Sequence, residues 1–158
     1  MNIVHTARAA LATGSVASAI TTAALAGLAK RRGRGVLQPT NSTSHWLHGE
    51  RAGHEEKADL AHTGVGYATH HASSVFWAAP LEAWLAARPA RNSADILGRA
   101  VAVAGLAAFV DYVVVPKRLT PGWEAVLPPR DIVAVYGVLA LGLAAGALIA
   151  RRGQAQAR

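Results

Sequence analysis

The side chains that could carry chemistry in this sequence are histidines, an aspartate and a tyrosine inside apolar segments. His70 and His71 are adjacent in one apolar stretch, and His62 precedes them by about two helical turns. Asp111 and Tyr136 interrupt two later apolar stretches. Imidazole, carboxylate and phenol groups can form a buried hydrogen-bond network or relay protons. We therefore take these five residues as the candidate polar network.

A second pair of histidines lies in the loop that precedes this stretch. His45 and His48 have the i,i+3 spacing that puts both on one side of a helical turn. Together with His70, His71 and Asp111 they form a candidate ligand set for a transition metal. Haem held by histidines from two spans is disfavoured, because the third and fourth apolar segments contain no histidine, and no nucleotide-binding motif is present.

Four apolar segments must position these groups. They cover about 8–29, 61–87, 96–115 and 132–150, and a polar loop of residues 30–60 follows the first. Each is close to the roughly 20 residues that span ~30 Å of hydrocarbon. The last segment has no polar face, and so small a chain has no core that could bury it. The sequence predicts one all-α domain over 1–158, an integral membrane four-helix bundle with one or two short interfacial helices. A soluble Ala-rich bundle is the alternative.

An antiparallel arrangement of the four helices brings the polar groups to similar depths. His70 and His71 lie some ten residues into the second helix, whereas Asp111 lies near the end of the third and Tyr136 near the start of the fourth. At ~1.5 Å per residue these positions fall within a turn or two of one another. A carboxylate in hydrocarbon needs a partner or a proton. We expect Asp111 to pair with a histidine, or with Tyr136, and His45 and His48 to close the site from the loop.

Charge and cysteine content narrow the class of protein. The chain has a net charge of +7, 16 Lys and Arg, and no cysteine. The basic residues cluster at segment ends, which fits contact with anionic headgroups and argues against a nucleic-acid partner. The lack of cysteine excludes disulfides, thiolate metal ligands and thiol catalysis. The first and third loops hold nine of the Lys and Arg and the opposite side seven, which favours termini on the outside of the membrane.

The first segment and the last raise two questions about assembly. The first is either a cleaved signal peptide or a retained helix, and we expect a retained helix, because its basic cluster follows the apolar region. The last contains Gly142 and Gly146 in a GxxxG pattern, which marks a helix-packing surface. This surface could serve a homo-oligomer or a partner membrane subunit.

Three functions fit these observations. The first is a structural or accessory membrane subunit, in which the network only holds the helices together. The second is metal binding, and the third is conduction of protons or a small solute through His70, His71 and Asp111. Enzyme activity is less expected, and we assign no catalytic residue, because a serine one turn from a histidine, such as Ser74 after His70, is common by chance.

Two polar segments carry a resemblance. These are 40–49, Thr-Asn-Ser-Thr-Ser-His-Trp-Leu-His-Gly, and 66–78, Gly-Tyr-Ala-Thr-His-His-Ala-Ser-Ser-Val-Phe-Trp-Ala. Both resemble segments of small uncharacterised multi-span bacterial inner-membrane proteins. The resemblance implies a helical bundle in a bacterial inner membrane and implies no activity or ligand.

Overall fold

The computed structural model describes residues 3–156, with side chains through residue 153, and this part of the chain is helical with no strand. The all-α prediction is therefore confirmed. The α-helices are α1 Ile3–Arg31, α2 Gln38–Ser42, α3 His45–His48, α4 Val65–Ala87, α5 Ser93–Phe109 and α6 Pro129–Gln156. Short 3₁₀ turns cover Glu50–His54, Lys117–Leu119 and Trp123–Ala125, and wider π turns cover Leu60–Gly64 and Val110–Val114.

Three of the helical segments are long and apolar enough to cross a membrane, namely Ile3–Arg31, Ser93–Val114 and Pro129–Gly153. Their outer faces expose large apolar side chains, as Val101 and Leu141 illustrate at 55% and 57% exposure. A soluble surface seldom carries so many apolar groups together. The three helices therefore indicate a membrane protein.

The first helix lies between two others. α1 packs along α4 on one side and α6 on the other, and α5 packs mainly on α6. Ala17 and Leu25 of α1 are buried at 0% and 1% exposure. The first apolar segment thus forms part of the helix packing.

Glycines allow the close contacts of α1. A Cβ on Gly14 would lie 2.5 Å from the Cα of Val75 in α4. A Cβ on Gly142 would lie 2.8 Å from the Cα of Ala17, and one on Gly146 would lie 2.7 Å from the Cα of Thr13. The GxxxG pair of α6 therefore packs against α1 of the same chain. The prediction of a homo-oligomer or a partner subunit at this pair stays a prediction.

The loop after α1 folds into a cap over one end of the long helices. Arg32 donates two hydrogen bonds of 2.7 Å to Asp131, which ties the end of α1 to the start of α6. Asn41 is fully buried and donates from its side-chain amide to the carbonyls of Glu55 and Lys57. The cap includes two short helices, α2 and α3, whereas the third loop has only 3₁₀ turns.

Candidate functional site

Asp111 and Tyr136 meet at the capped end of the long helices. Asp111 lies in the π turn that follows α5, where the N–H of Val115 donates to the carbonyl of Val110. Tyr136 lies two turns into α6 and is 7% exposed. Its hydroxyl donates to Asp111 Oδ2 over 2.7 Å. The aspartate's hydrogen-bond partner is thus the tyrosine, and not His70 or His71.

His70 lies on the inner face of α4 and is 7% exposed. Its ring meets the indole of Trp123 edge-on, with the centroids 5.6 Å apart. The backbone carbonyl of His70 accepts a hydrogen bond from Ser74 Oγ. The ring lies beside the backbone of Ser18 in α1, and its Nε2 is sealed from the cavity without a well-formed hydrogen bond to any described residue.

His70, Asp111 and Tyr136 line the same cavity, which has a volume of about 260 Å³ and is partly open. The depth matching of α4, α5 and α6 therefore brings three of the five predicted network residues to one place. The other side chains of the wall are polar, aromatic or apolar, and none is a lysine or arginine: Thr43, Trp46, Thr69, Ser73, Ser74, Trp77, Leu119, Thr120, Pro121, Trp123 and Leu139. Asp111 is the only carboxylate among them.

Two indole groups close the cavity, Trp46 from the cap and Trp123 from the third loop. Trp46 Nε1 donates to Thr69 Oγ1 of α4 over 3.1 Å. Trp123 Nε1 donates to Thr43 Oγ1 over 3.1 Å, and Trp123 is only 3% exposed. The first and third loops thus close the site through tryptophans, and not through His45 and His48 as predicted.

His62 and His71 lie outside the cavity. His62 Nδ1 is 3.0 Å from an Asp59 carboxylate oxygen, and its ring packs 4.7 Å from that of His48. The hydrogen bonds from His62 hold the pKa of the Asp59 carboxyl below its usual value. His71 packs against Tyr67 with the ring centroids 6.0 Å apart. The predicted five-residue network is therefore wrong for His62 and His71, which do not line the cavity.

The predicted metal ligands are not brought together. His45 faces two backbone carbonyls, with Nδ1 3.0 Å from Ser42 O and Nε2 3.2 Å from Lys117 O. His45 and His48 line a separate outer groove, whereas His70 and Asp111 line the inner cavity. Within residues 3–156, no group of three His, Asp or Glu side chains is placed to hold a metal ion. The prediction that these five residues share one metal site is therefore wrong.

A second buried polar cluster lies near the opposite end of α4. Glu82 is 3% exposed, accepts a 2.7 Å hydrogen bond from Thr13 Oγ1 and lies 3.2 Å from Arg151 Nη2. The cluster joins α1, α4 and α6. Glu82 is not among the predicted site residues. The rule that a carboxylate in hydrocarbon requires a partner could have identified it, although not its pairing with Arg151.

Comparisons of the chain with protein families, with curated proteins and with solved structures find no match. The resemblance of segments 40–49 and 66–78 to bacterial inner-membrane proteins stays a prediction.

Proposed function

We propose that the protein crosses a membrane with four helices, α4 being the one additional to the three apolar segments. Its 23 residues give a length of about 34 Å at 1.5 Å per residue, enough to cross the hydrocarbon. It runs alongside α1 through the Gly14–Val75 contact and the Thr13–Glu82 hydrogen bond. An apolar neighbour of this length supports the same depth for α4. We retain the bacterial inner membrane, with the termini outside, as part of the proposal.

We further propose that the cavity beside His70 binds a small polar solute. One observation carries this proposal: Asp111 and the buried His70 imidazole line one cavity, and Asp111 Oδ1 accepts no hydrogen bond from residues 3–153. A polar group that is removed from water without a partner costs about 1–3 kcal/mol, and more when it is charged. A network that served only packing would gain stability by satisfying that oxygen or by replacing it with an apolar group. Binding is also the first step of any conduction of the same solute.

A structural or accessory role is the second candidate. It is favoured by the hydrogen bond between Asp111 and Tyr136 and by the Glu82 cluster, since both join different long helices. On this alternative the loss of Asp111 or His70 lowers thermal stability and changes no binding. The two candidates therefore differ in whether the cavity admits a solute.

Cysteine labelling tests solute access, because the chain has no cysteine of its own. Ser73 lines the cavity and Ala72 does not, although both are exposed side chains at the same depth of α4. We expect a small polar methanethiosulfonate reagent to modify Ser73→Cys at least ten times faster than Ala72→Cys in detergent-purified protein. Equal rates at the two positions would mean that the cavity does not admit polar solutes, and the binding proposal would fail.

A further inference from the structure

The side chains of the cavity combine one carboxylate with several aromatic rings. Three of the four tryptophans of the chain line it, and Tyr136 adds a fourth aromatic group. The Trp123 and Tyr136 rings both line the space, and their centroids are 5.8 Å apart. We propose that the solute carries a substituted ammonium group, which the cavity holds between Asp111 and the aromatic rings. This inference rests on the proposed function of solute binding.

The charge of the cavity favours a cation. Tyr136 occupies Asp111 Oδ2, and Oδ1 accepts no hydrogen bond from residues 3–153. No lysine or arginine is among the residues that line the space. A carboxylate removed from water is stabilised by a cation at short distance, and it repels an anion in the same space.

The rings favour an organic cation over a hard metal ion. The face of an indole or phenol ring carries negative electrostatic potential and attracts ammonium groups within about 6 Å of its centroid. A metal ion instead requires several oxygen or nitrogen ligands at short range, and the described residues offer no such group here.

The size and position of the cavity suit a headgroup-sized cation. Its volume of about 260 Å³ lies below the usual range of drug-binding pockets. Ser73 reaches the outer surface of α4, which the proposed topology places within the membrane. The ammonium group could therefore belong to a free organic cation or to the headgroup of a membrane lipid, and both sources present the same chemistry.

Tryptophan fluorescence tests this inference, because most of the indoles line the cavity. The protein is purified in a maltoside detergent, whose headgroup is uncharged, and titrated with choline, with ethanolamine and with 3,3-dimethyl-1-butanol, a neutral isostere of choline. We expect a saturable change with choline or ethanolamine and none with the alcohol at the same concentration. Asp111→Asn should weaken the apparent affinity at least tenfold. Asp95→Asn, the same change in α5 and outside the cavity, should leave it unchanged.

Lipid bilayers separate the two sources of the group. The same fluorescence is measured in nanodiscs of phosphatidylglycerol alone and of phosphatidylglycerol mixed with phosphatidylethanolamine. A change that needs phosphatidylethanolamine identifies a lipid headgroup, and a change with soluble amines alone identifies a free cation. Binding of the neutral alcohol as tightly as choline, or an unchanged affinity in Asp111→Asn, would overturn the ammonium inference while leaving solute binding intact. Absence of binding by both amines and by the bilayer lipid would overturn it as well. Failure of solute binding itself is detected separately by the Ser73→Cys labelling rates.

Discussion

Tyr136 of α6 donates a 2.7 Å hydrogen bond to Asp111, which lies in the π turn after α5. The bond joins two helices at the wall of the cavity and leaves the second carboxylate oxygen of Asp111 available. Wider π turns occur often at functional sites, where they reorient one side chain. The tyrosine therefore orients the carboxylate that we propose contacts the solute.

Removal of the Tyr136 hydroxyl distinguishes a role in orienting Asp111 from a role in packing the helices. We expect Tyr136→Phe to lower the free energy of unfolding in detergent by only about 0.6–1.5 kcal/mol, the range measured for single hydrogen bonds. The same variant should weaken choline binding several-fold, because Asp111 loses its fixed orientation. A large loss of stability with unchanged binding would favour the structural role instead.

The Glu82 cluster makes a prediction about stability. Arg151→Ala leaves the buried Glu82 carboxylate without its cation, which we expect to cost about 2–3 kcal/mol. Arg152→Ala, the neighbouring exposed arginine, should cost little. The double variant Glu82→Gln with Arg151→Ala should be less destabilised than the sum of the single changes, as thermal unfolding of all four proteins would show. Additive losses would mean that the two side chains do not interact.

The contact of α6 with α1 predicts opposite effects for two glycines of one helix. A Cβ on Gly146 would press on Thr13, so we expect Gly146→Ala to destabilise the protein by about 1–3 kcal/mol. Gly137 has no atom within 4 Å of an added Cβ, and Gly137→Ala should be neutral or stabilising by up to about 1 kcal/mol. Melting temperatures in detergent measure both effects. Equal effects would contradict the packing of the GxxxG pair inside the chain.

The hydrogen bonds of Asp59 make the start of α4 sensitive to acid. Its carboxylate accepts the backbone N–H of His62, and that hydrogen bond lowers its pKa below the usual value. A lowered pKa in the folded state means that the stabilisation is present above the unfolded-state pKa of about 4 and is lost as the pH falls through the folded-state pKa. Asp59→Asn can still cap the helix but does not titrate. We expect the variant to lose less stability than the parent protein between about pH 5 and about pH 3. This range is centred on the ordinary pKa of an Asp carboxyl, which is about 4. An identical loss would show that Asp59 does not contribute.

The sequence predicts the helices and their depths well, because both follow from local physics. Apolar segments of spanning length gave 132–150, and the helix found is Pro129–Gln156. The fixed rise of an α-helix matched the depth of Asp111 to that of Tyr136, and those two residues are hydrogen-bonded. Pro80 does not end α4, which continues to Ala87.

The rotational position of side chains was harder to predict. We placed His62 on the face of His70 by counting two α-helical turns, but residues 60–64 form a π turn, which holds more residues per turn and rotates His62 away. The partnership of Glu82 with Arg151 and the burial of Trp123 depend on contacts between distant parts of the chain. Periodicity within one segment carries no information about such contacts.

Protection of a cysteine at position 73 tests the central claim most directly. The Ser73→Cys protein is exposed to the polar methanethiosulfonate reagent with and without saturating choline. The rate of modification is measured by mass spectrometry. We predict that choline slows the modification at least fivefold and that Asp111→Asn in the same background removes the protection. An unchanged rate at Ser73→Cys in the presence of choline would contradict binding of an ammonium group in the cavity beside Asp111 and His70.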